Sequence, residues 1–224
     1  VQQEPDFSKL KIDPKTPVSL IPLPSKKSQM AKLPEPEKKT IAEIYDDVEK
    51  ERIAVPDFQR YWTWSRQQIE QLWESIFLSY YVGSLLLWEK QGGDIGLQEI
   101  VGAPFTKKGT NRPDLILDGQ QRITAIYYAV KGPDLPLPNT EKPYRFFLNI
   151  NALLDPNSAS TDIISSYSES KVKRRKYDDA QVQFEQKIFP LTGFVEDGTY
   201  TKWLFRFLKF LKDKENYEEA EAEL

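Results

Sequence analysis

The stretch Leu115-Ile116-Leu117-Asp118-Gly119-Gln120-Gln121-Arg122-Ile123-Thr124-Ala125 decides the fold of this chain. Three apolar residues read as a short buried strand, and a tight polar turn built on one glycine follows. Ile123, Ile126, Tyr127 and Val130 then recur at i, i+3, i+4 and i+7, the spacing of one helix face. The polar cluster therefore sits where a strand ends and a helix begins. Such a junction presents unpaired backbone N–H groups and a partial positive charge, which attract anions and phosphate above all. The plain alternative is a capped helix start, with Asp118 or Gly119 as N-cap, solvated glutamines and Arg122 in a surface ion pair. Asp-Gly is also a common turn dipeptide. Against that alternative, the run of polar residues follows a fully apolar strand, where open α/β sheets bind ligands.

Read as a site, the cluster divides into roles. Gly119 lets the backbone approach a phosphate. Arg122 pairs with phosphate oxygens, each charge-assisted contact contributing roughly 1.5–3 kcal/mol. Gln120 or Gln121 orients an attacking water. Asp118 holds Mg²⁺ directly or through water, and Thr124 donates to phosphate.

Upstream, Thr40 with Glu43 forms a capping box before Ile41, Ile44, Tyr45 and Val48, which stripe a short helix. Residues 52–55 read as a strand stopped by Pro56. The loop Pro56-Asp57-Phe58-Gln59-Arg60-Tyr61-Trp62-Thr63-Trp64 is dense in aromatics, most of them suited to a core. Gln59 and Arg60 would complete an anion site, and Tyr61 and Trp64 are candidates for stacking on bases. Ser65 with Gln68 makes a second capping box, and Ile69, Leu72, Trp73, Ile76 and Phe77 follow at helical spacing. Gly83 turns the chain into residues 85–88, an apolar run that suits a buried strand. Residues 89–113 read as a variable loop or hairpin, with 97–101 able to form a short strand.

Composition narrows the chemistry. A hydrophobic share of 39% with 12% aromatics is enough for a sizeable core, and the net charge of −3 leaves any nucleic-acid contact to local patches. There is no cysteine and no histidine. Disulfides, thiolate nucleophiles, Ser-His-Asp triads and HNH nuclease motifs are thereby excluded. No apolar run reaches the length of a membrane span, so a cytoplasmic location and no membrane partner are expected. The chain begins with Val and ends in helix-like composition, and reads as a piece of something longer.

Downstream, the helix stops at Gly132-Pro133 and residues 144–149 alternate as a strand. Residues 151–169 are polar. The basic run 171–176 reads as a solvated loop; as a functional element its Lys173, Arg174 and Arg175 would contact a phosphate backbone, making binding salt-sensitive. Residues 188–191 are apolar around a proline. Trp203, Leu204, Phe207, Leu208 and Leu211 stripe a helix starting near Thr199 or Thr201, with an acidic tail. Residues 1–39, punctuated by prolines, read as a flexible arm, unless Val18, Leu20, Ile21 and Leu23 lay an extended segment against the body. Neither a Walker-type phosphate loop nor a Gly-x-Gly-x-x-Gly loop is present. Acid-x-Lys pairs occur four times, none in a convincing strand, and carry no nuclease signal.

Taken together, Val55-Pro56-Asp57-Phe58-Gln59-Arg60, Trp64, the helix around Leu72 and Ser75-Ile76, Gly83-Ser84 and Asp118-Gly119-Gln120-Gln121-Arg122 resemble the N-terminal domain of GmrSD-type modification-dependent restriction enzymes. Their order is also similar to ParB, whose fold sulfiredoxin shares. The resemblance is strongest over residues 40–130. It implies an α/β (α+β) fold: a ParB/sulfiredoxin-like domain with a small mixed sheet, flanking helices and a partly helical C-terminal extension. The arm would span 1–39, the nucleotide-binding domain 40–150, and the extension 151–224, packed on the same domain. The resemblance further implies nucleoside-triphosphate binding with Mg²⁺ and hydrolysis at residues 118–122, with Gln59, Arg60, Gly83 and Ser84 beside the nucleotide. Implied partners are DNA, modified phage DNA included, and an HNH nuclease that this histidine-free chain does not contain; a homodimer stays open. Three readings result: an NTP-hydrolysing regulatory domain, a DNA-binding module switched by nucleotide, and, least favoured, a nuclease using Asp118 and a metal.

Overall fold

The computed structural model describes residues 38–89, 95–105, 113–155, 163–195 and 198–222, with side chains as far as Lys214. Every described element belongs to the unit from Lys39 onward. The expected arm at 1–39, with Val18, Leu20, Ile21 and Leu23, lies outside the described residues but for its last two positions.

Helix α1 (Ile41–Glu49) starts on the expected capping box, with Thr40 accepting from Glu43 N–H and Glu43 accepting from Thr40 N–H at 2.7 Å. Strand β1 (Ile53–Pro56) follows. Helix α2 (Arg66–Phe77) starts on the second capping box, Ser65 with Gln68, and buries Ile69, Leu72 and Trp73. Strands β2 (Leu86–Trp88), β3 (Leu97–Gln98) and β4 (Asp114–Asp118) precede α3 (Gln120–Lys131), which a left-handed Gly132 ends. The second half contains β5 (Tyr144–Asn149), α4 (Ile150–Leu154), β6 (Ile164–Ser168), α5 (Glu169–Arg175), α6 (Ala180–Gln186) and β7 (Ile188–Pro190). A 3-10 turn over Leu191–Phe194 leads to α7 (Thr199–Ala222).

The architecture is α+β, with two small sheets where the sequence suggests one. The first has the order β2-β4-β1-β3 and is mixed: β4 runs parallel to β1 and antiparallel to β2. The second, β6-β5-β7, is antiparallel. Helix α3 lies among α1, α2, β5 and the 3-10 turn. Ten of its twelve residues are buried, from Gln120 through Val130 with Arg122 excepted. A helix enclosed on all sides needs small residues for close approach, and Thr124, Ala125 and Ala129 supply them. One apolar core runs from Ile44 to Phe207 and joins both sheets.

Two local expectations are corrected, and two further stretches hold more than their sequence pattern shows. The apolar run 85–88 is no buried strand: β2 is a sheet edge, Leu86 is 54% and Trp88 44% exposed, and only Leu85 and Leu87 turn inward. The basic run 171–176 is no loop; its first five residues belong to α5, which Val172 anchors to a small cluster of Phe147, Tyr177 and Ile188. The polar stretch 151–169 contains β6, whose Ser and Tyr residues pair along β5 and whose Ser166 donates to Glu70 Oε1 of α2 at 2.6 Å. The spacing of α3 marks one apolar face, whereas the helix is enclosed.

Candidate functional site

Three segments meet at one end of the strands of the first sheet, and the strand directions explain why. Because β1 and β4 are parallel, the loop after β1 and the turn after β4 leave from the same end. Because β2 is antiparallel to β4, its beginning meets β4's end, with Leu86 opposite Asp118. Residues 57–63, 83–86 and 118–122 are thereby gathered from distant parts of the chain.

At the centre is the start of α3. Gly119 is the N-cap in the left-handed region, φ +93, and no side chain caps the helix. The N–H groups of its first turn are thus without a side-chain acceptor, and the helix dipole adds partial positive charge. Arg122 adds a full one. Its guanidinium donates to Val82 O at 2.8 Å and to Asp118 Oδ2 at 2.9 Å, and its side chain is 18% exposed. Asp118 is 70% exposed. The guanidinium lies directly on the backbone of Gly83, φ +90, where a Cβ would overlap it; a Cβ at Gly119 would meet Leu85 Cδ2. At both positions the positive φ favours glycine, and a Cβ would displace a side-chain end, that of Arg122 at Gly83 and of Leu85 at Gly119. Ser84, exposed, shares a 2.8 Å hydrogen bond with the Tyr81 hydroxyl.

The two glutamines of the motif face inward. Gln120 and Gln121 are 6% and 7% exposed. Gln120 Nε2 donates to Arg60 O at 2.9 Å. Gln121 Nε2 donates to Tyr61 O at 3.0 Å and to Gln120 Oε1 at 3.2 Å, and its Oε1 accepts from Thr63 N–H at 3.0 Å. Both N–H donors of Gln121 are thus committed. Gln59 Nε2 donates to Leu117 O at 3.0 Å, and Gln98 Nε2 to Pro56 O and Gln59 O. Four glutamine amides fix the backbone of one loop.

That loop carries Phe58 at 64% and Tyr61 at 79% exposure, with exposed Arg60 between them. Among the described residues Arg60 makes no ion pair. Trp62 is buried against Tyr128 at 5.3 Å and Trp64 is half-buried on the core, so of the two stacking candidates Tyr61 is open and Trp64 is not. Thr124 is 1% exposed and lies outside the solvent-facing group. Lys173, Arg174 and Arg175 are exposed on the last turn of α5. Arg175 donates to the Tyr177 hydroxyl at 3.0 Å, and Lys173 lies 3.4 Å from Glu169.

Sequence reading does not find the Val82 carbonyl, the Gln98 amide or the Thr63 N–H. Two of these are backbone atoms, which no residue type advertises. Gln98 lies in the stretch that reads as a variable loop.

The family pattern of the GmrSD restriction endonuclease N-terminal domain matches residues 41–222. The chain belongs to that family. As a GmrSD-type N-terminal domain it is also similar to uncharacterized protein MJ0686 of Methanocaldococcus jannaschii, 30% identical over 186 residues. That alignment covers 79% of this chain and 32% of the relative, so the chain spans about a third of the length of the curated protein it matches. No solved structure matches the chain. Among the described residues of this GmrSD-type domain there is no cluster of three acidic residues able to cage a metal ion, and no helix long and apolar enough to cross a membrane.

Proposed function

We propose that this domain binds a nucleoside triphosphate at the β4–α3 turn, hydrolyses it, and passes the nucleotide state to a nuclease that cuts DNA within a restriction system. The observation that carries the reading is the seat of Arg122: a guanidinium held by the Val82 carbonyl and the Asp118 carboxylate and lying on the Gly83 backbone, directly beside an uncapped helix N-terminus. Family membership supports the restriction context. The missing histidine sends HNH cleavage to another polypeptide segment or subunit. Arg122 binds phosphate oxygens, the first-turn N–H groups of α3 neutralise a second face, and exposed Arg60 supplies a further charge from the neighbouring loop. Asp118, an exposed carboxylate that engages Arg122 through Oδ2, has its other oxygen to offer Mg²⁺ held mainly by waters and phosphates, a mode that needs one or two protein carboxylates and supplies charge neutralisation at the phosphate. Gln120 and Gln121 hold the Arg60 loop in place. For either to orient water, its amide would have to leave that loop.

The test is a titration of all four NTPs with Mg²⁺, followed by turnover. Arg122→Ala is expected to lose at least tenfold in affinity, the order for a charge-assisted contact. Asp118→Asn releases Arg122 and is expected to abolish the Mg²⁺ dependence while preserving binding of metal-free nucleotide. Unchanged turnover in both variants overturns the assignment.

A second reading, a DNA-binding module that nucleotide merely switches, is favoured by the exposed Phe58, Arg60 and Tyr61 side chains on a loop whose backbone is fixed. Gel shifts with modified and plain DNA at two salt concentrations test it, and absence of DNA binding in every nucleotide state overturns it.

A further inference from the structure

The segment between α2 and β2 carries a feature that the phosphate site does not use. Tyr80 and Tyr81 are 64% and 85% exposed, and Tyr81 is the most open of the large hydrophobic side chains among the described residues. An aromatic ring in water is ordinarily free to turn, but this one is tethered: its hydroxyl meets Ser84 Oγ at 2.8 Å. The tether closes over Val82 and Gly83, the two residues that seat Arg122 through the Val82 carbonyl and the Gly83 backbone. Tyr81 directly precedes the residue whose carbonyl holds the guanidinium, and adjacent Cα atoms lie about 3.8 Å apart. An open, tethered aromatic ring therefore sits on the same short segment that seats a cation. Nucleotides offer a π-face at one end and phosphates at the other; inorganic polyphosphates have only the second.

We propose that Tyr81 is the stacking platform for the base of the bound nucleotide, and that Ser84 holds the ring in position rather than touching phosphate. The inference rests on the phosphate-site reading above and deepens it by naming the residue that receives the base, which a bare polyphosphate lacks. Stacking on a ring tolerates every base, so the platform selects for a base without selecting strongly among bases.

The experiment compares ATP and GTP with inorganic tripolyphosphate, all with Mg²⁺, by calorimetry on the wild-type chain, Tyr81→Leu and Tyr81→Phe. Position 81 is so open that neither variant threatens the fold. Wild type is expected to bind the nucleotides more tightly than tripolyphosphate. Tyr81→Leu is expected to lose roughly 5- to 100-fold in nucleotide affinity, the range for one base–aromatic stack, with tripolyphosphate affinity unchanged. Tyr81→Phe, which keeps the ring and loses the tether, is expected to fall between wild type and Tyr81→Leu. Equal binding of nucleotides and tripolyphosphate by wild type, an unchanged Tyr81→Leu, equal losses for both ligand types in that variant, or a Tyr81→Phe as weak as Tyr81→Leu each overturn the platform and leave the phosphate site standing. If wild type binds neither ligand type, the phosphate-site reading itself fails and takes the platform with it.

Discussion

Replacing Gln121 by Met separates two roles that the motif merges. The substitution keeps the side-chain volume in a position only 7% exposed and removes the amide. Three well-formed hydrogen bonds are lost: to Tyr61 O, from Thr63 N–H and to Gln120 Oε1. Each contributes about 1 kcal/mol net, and leaving the Gln120 acceptor buried without a partner adds to the cost. The Thr63 and Tyr61 side chains are exposed, so water can recover part of the loss at their backbones. The expected destabilisation is about 2–3 kcal/mol. Domains of this kind are stable by about 5–15 kcal/mol, so the variant still folds. With a urea m-value of about 1–3 kcal/mol/M, the unfolding midpoint falls by roughly 0.7–3 M. Urea unfolding followed by tryptophan fluorescence measures it. A change below about 0.5 kcal/mol, within the range of ordinary surface substitutions, refutes the clamp and returns Gln121 to a role in solvent. A measured loss means that a drop in NTP turnover on substituting Gln121 is no proof that its amide touches water, because the Arg60 loop is displaced as well.

Two further outcomes are expected from the same geometry. Gly83→Ala puts a methyl where the Arg122 guanidinium lies and strains a φ of +90, so it is expected to weaken phosphate binding at least tenfold while costing about 1–2 kcal/mol of stability; wild-type affinity for tripolyphosphate would contradict it. The pH dependence of folding should carry the mark of the α1–α3 contact. Burial pushes the Glu49 carboxyl up, but hydrogen bonds from Lys131, Tyr127 and Tyr45 outweigh it and hold the pKa below the usual carboxylate range. Its stabilisation is present above the unfolded value near about 4.3 and is lost as pH falls through the lower folded value. Burial and the neighbouring Glu49 carboxylate push the Tyr127 phenol up. Its contribution is complete below the unfolded value near about 10 and declines as pH rises beyond it. Glu49→Gln should flatten the acid limb of a stability-against-pH curve, and an unaltered limb would show that the contact is not what titrates.

How much was legible beforehand depended on whether the signal was local. Both capping boxes arise from side chains three residues apart, and the structure forms both. The β4–α3 junction was legible for the same reason: a short apolar strand, a glycine that alone tolerates the turn, and a helical spacing beyond it. Strand β6 was not, because a strand of Ser, Tyr and Ile declares itself only when β5 lies beside it. Nor was the exposure of Leu86 and Trp88. An apolar triplet reads the same at a sheet's centre and at its edge, and only strand order tells which it is.

The same division runs through the candidate site. Sequence by itself determined the chemical inventory: an acid, two amides, an arginine and a glycine at a strand–helix turn, with no histidine or cysteine to do other work. It also determined membership of a family, because motif order survives along a chain. Only the tertiary structure decided which way each side chain points. The parallel pairing of β1 with β4 carried residues 59–63 to the start of α3, so that two glutamines which could equally have faced water found backbone carbonyls instead. The antiparallel arrival of β2 set Val82 and Gly83 under Arg122. Hydrogen bonds between residues roughly forty to sixty positions apart have no local cause, and until the sheet assembles, no residue type reveals them.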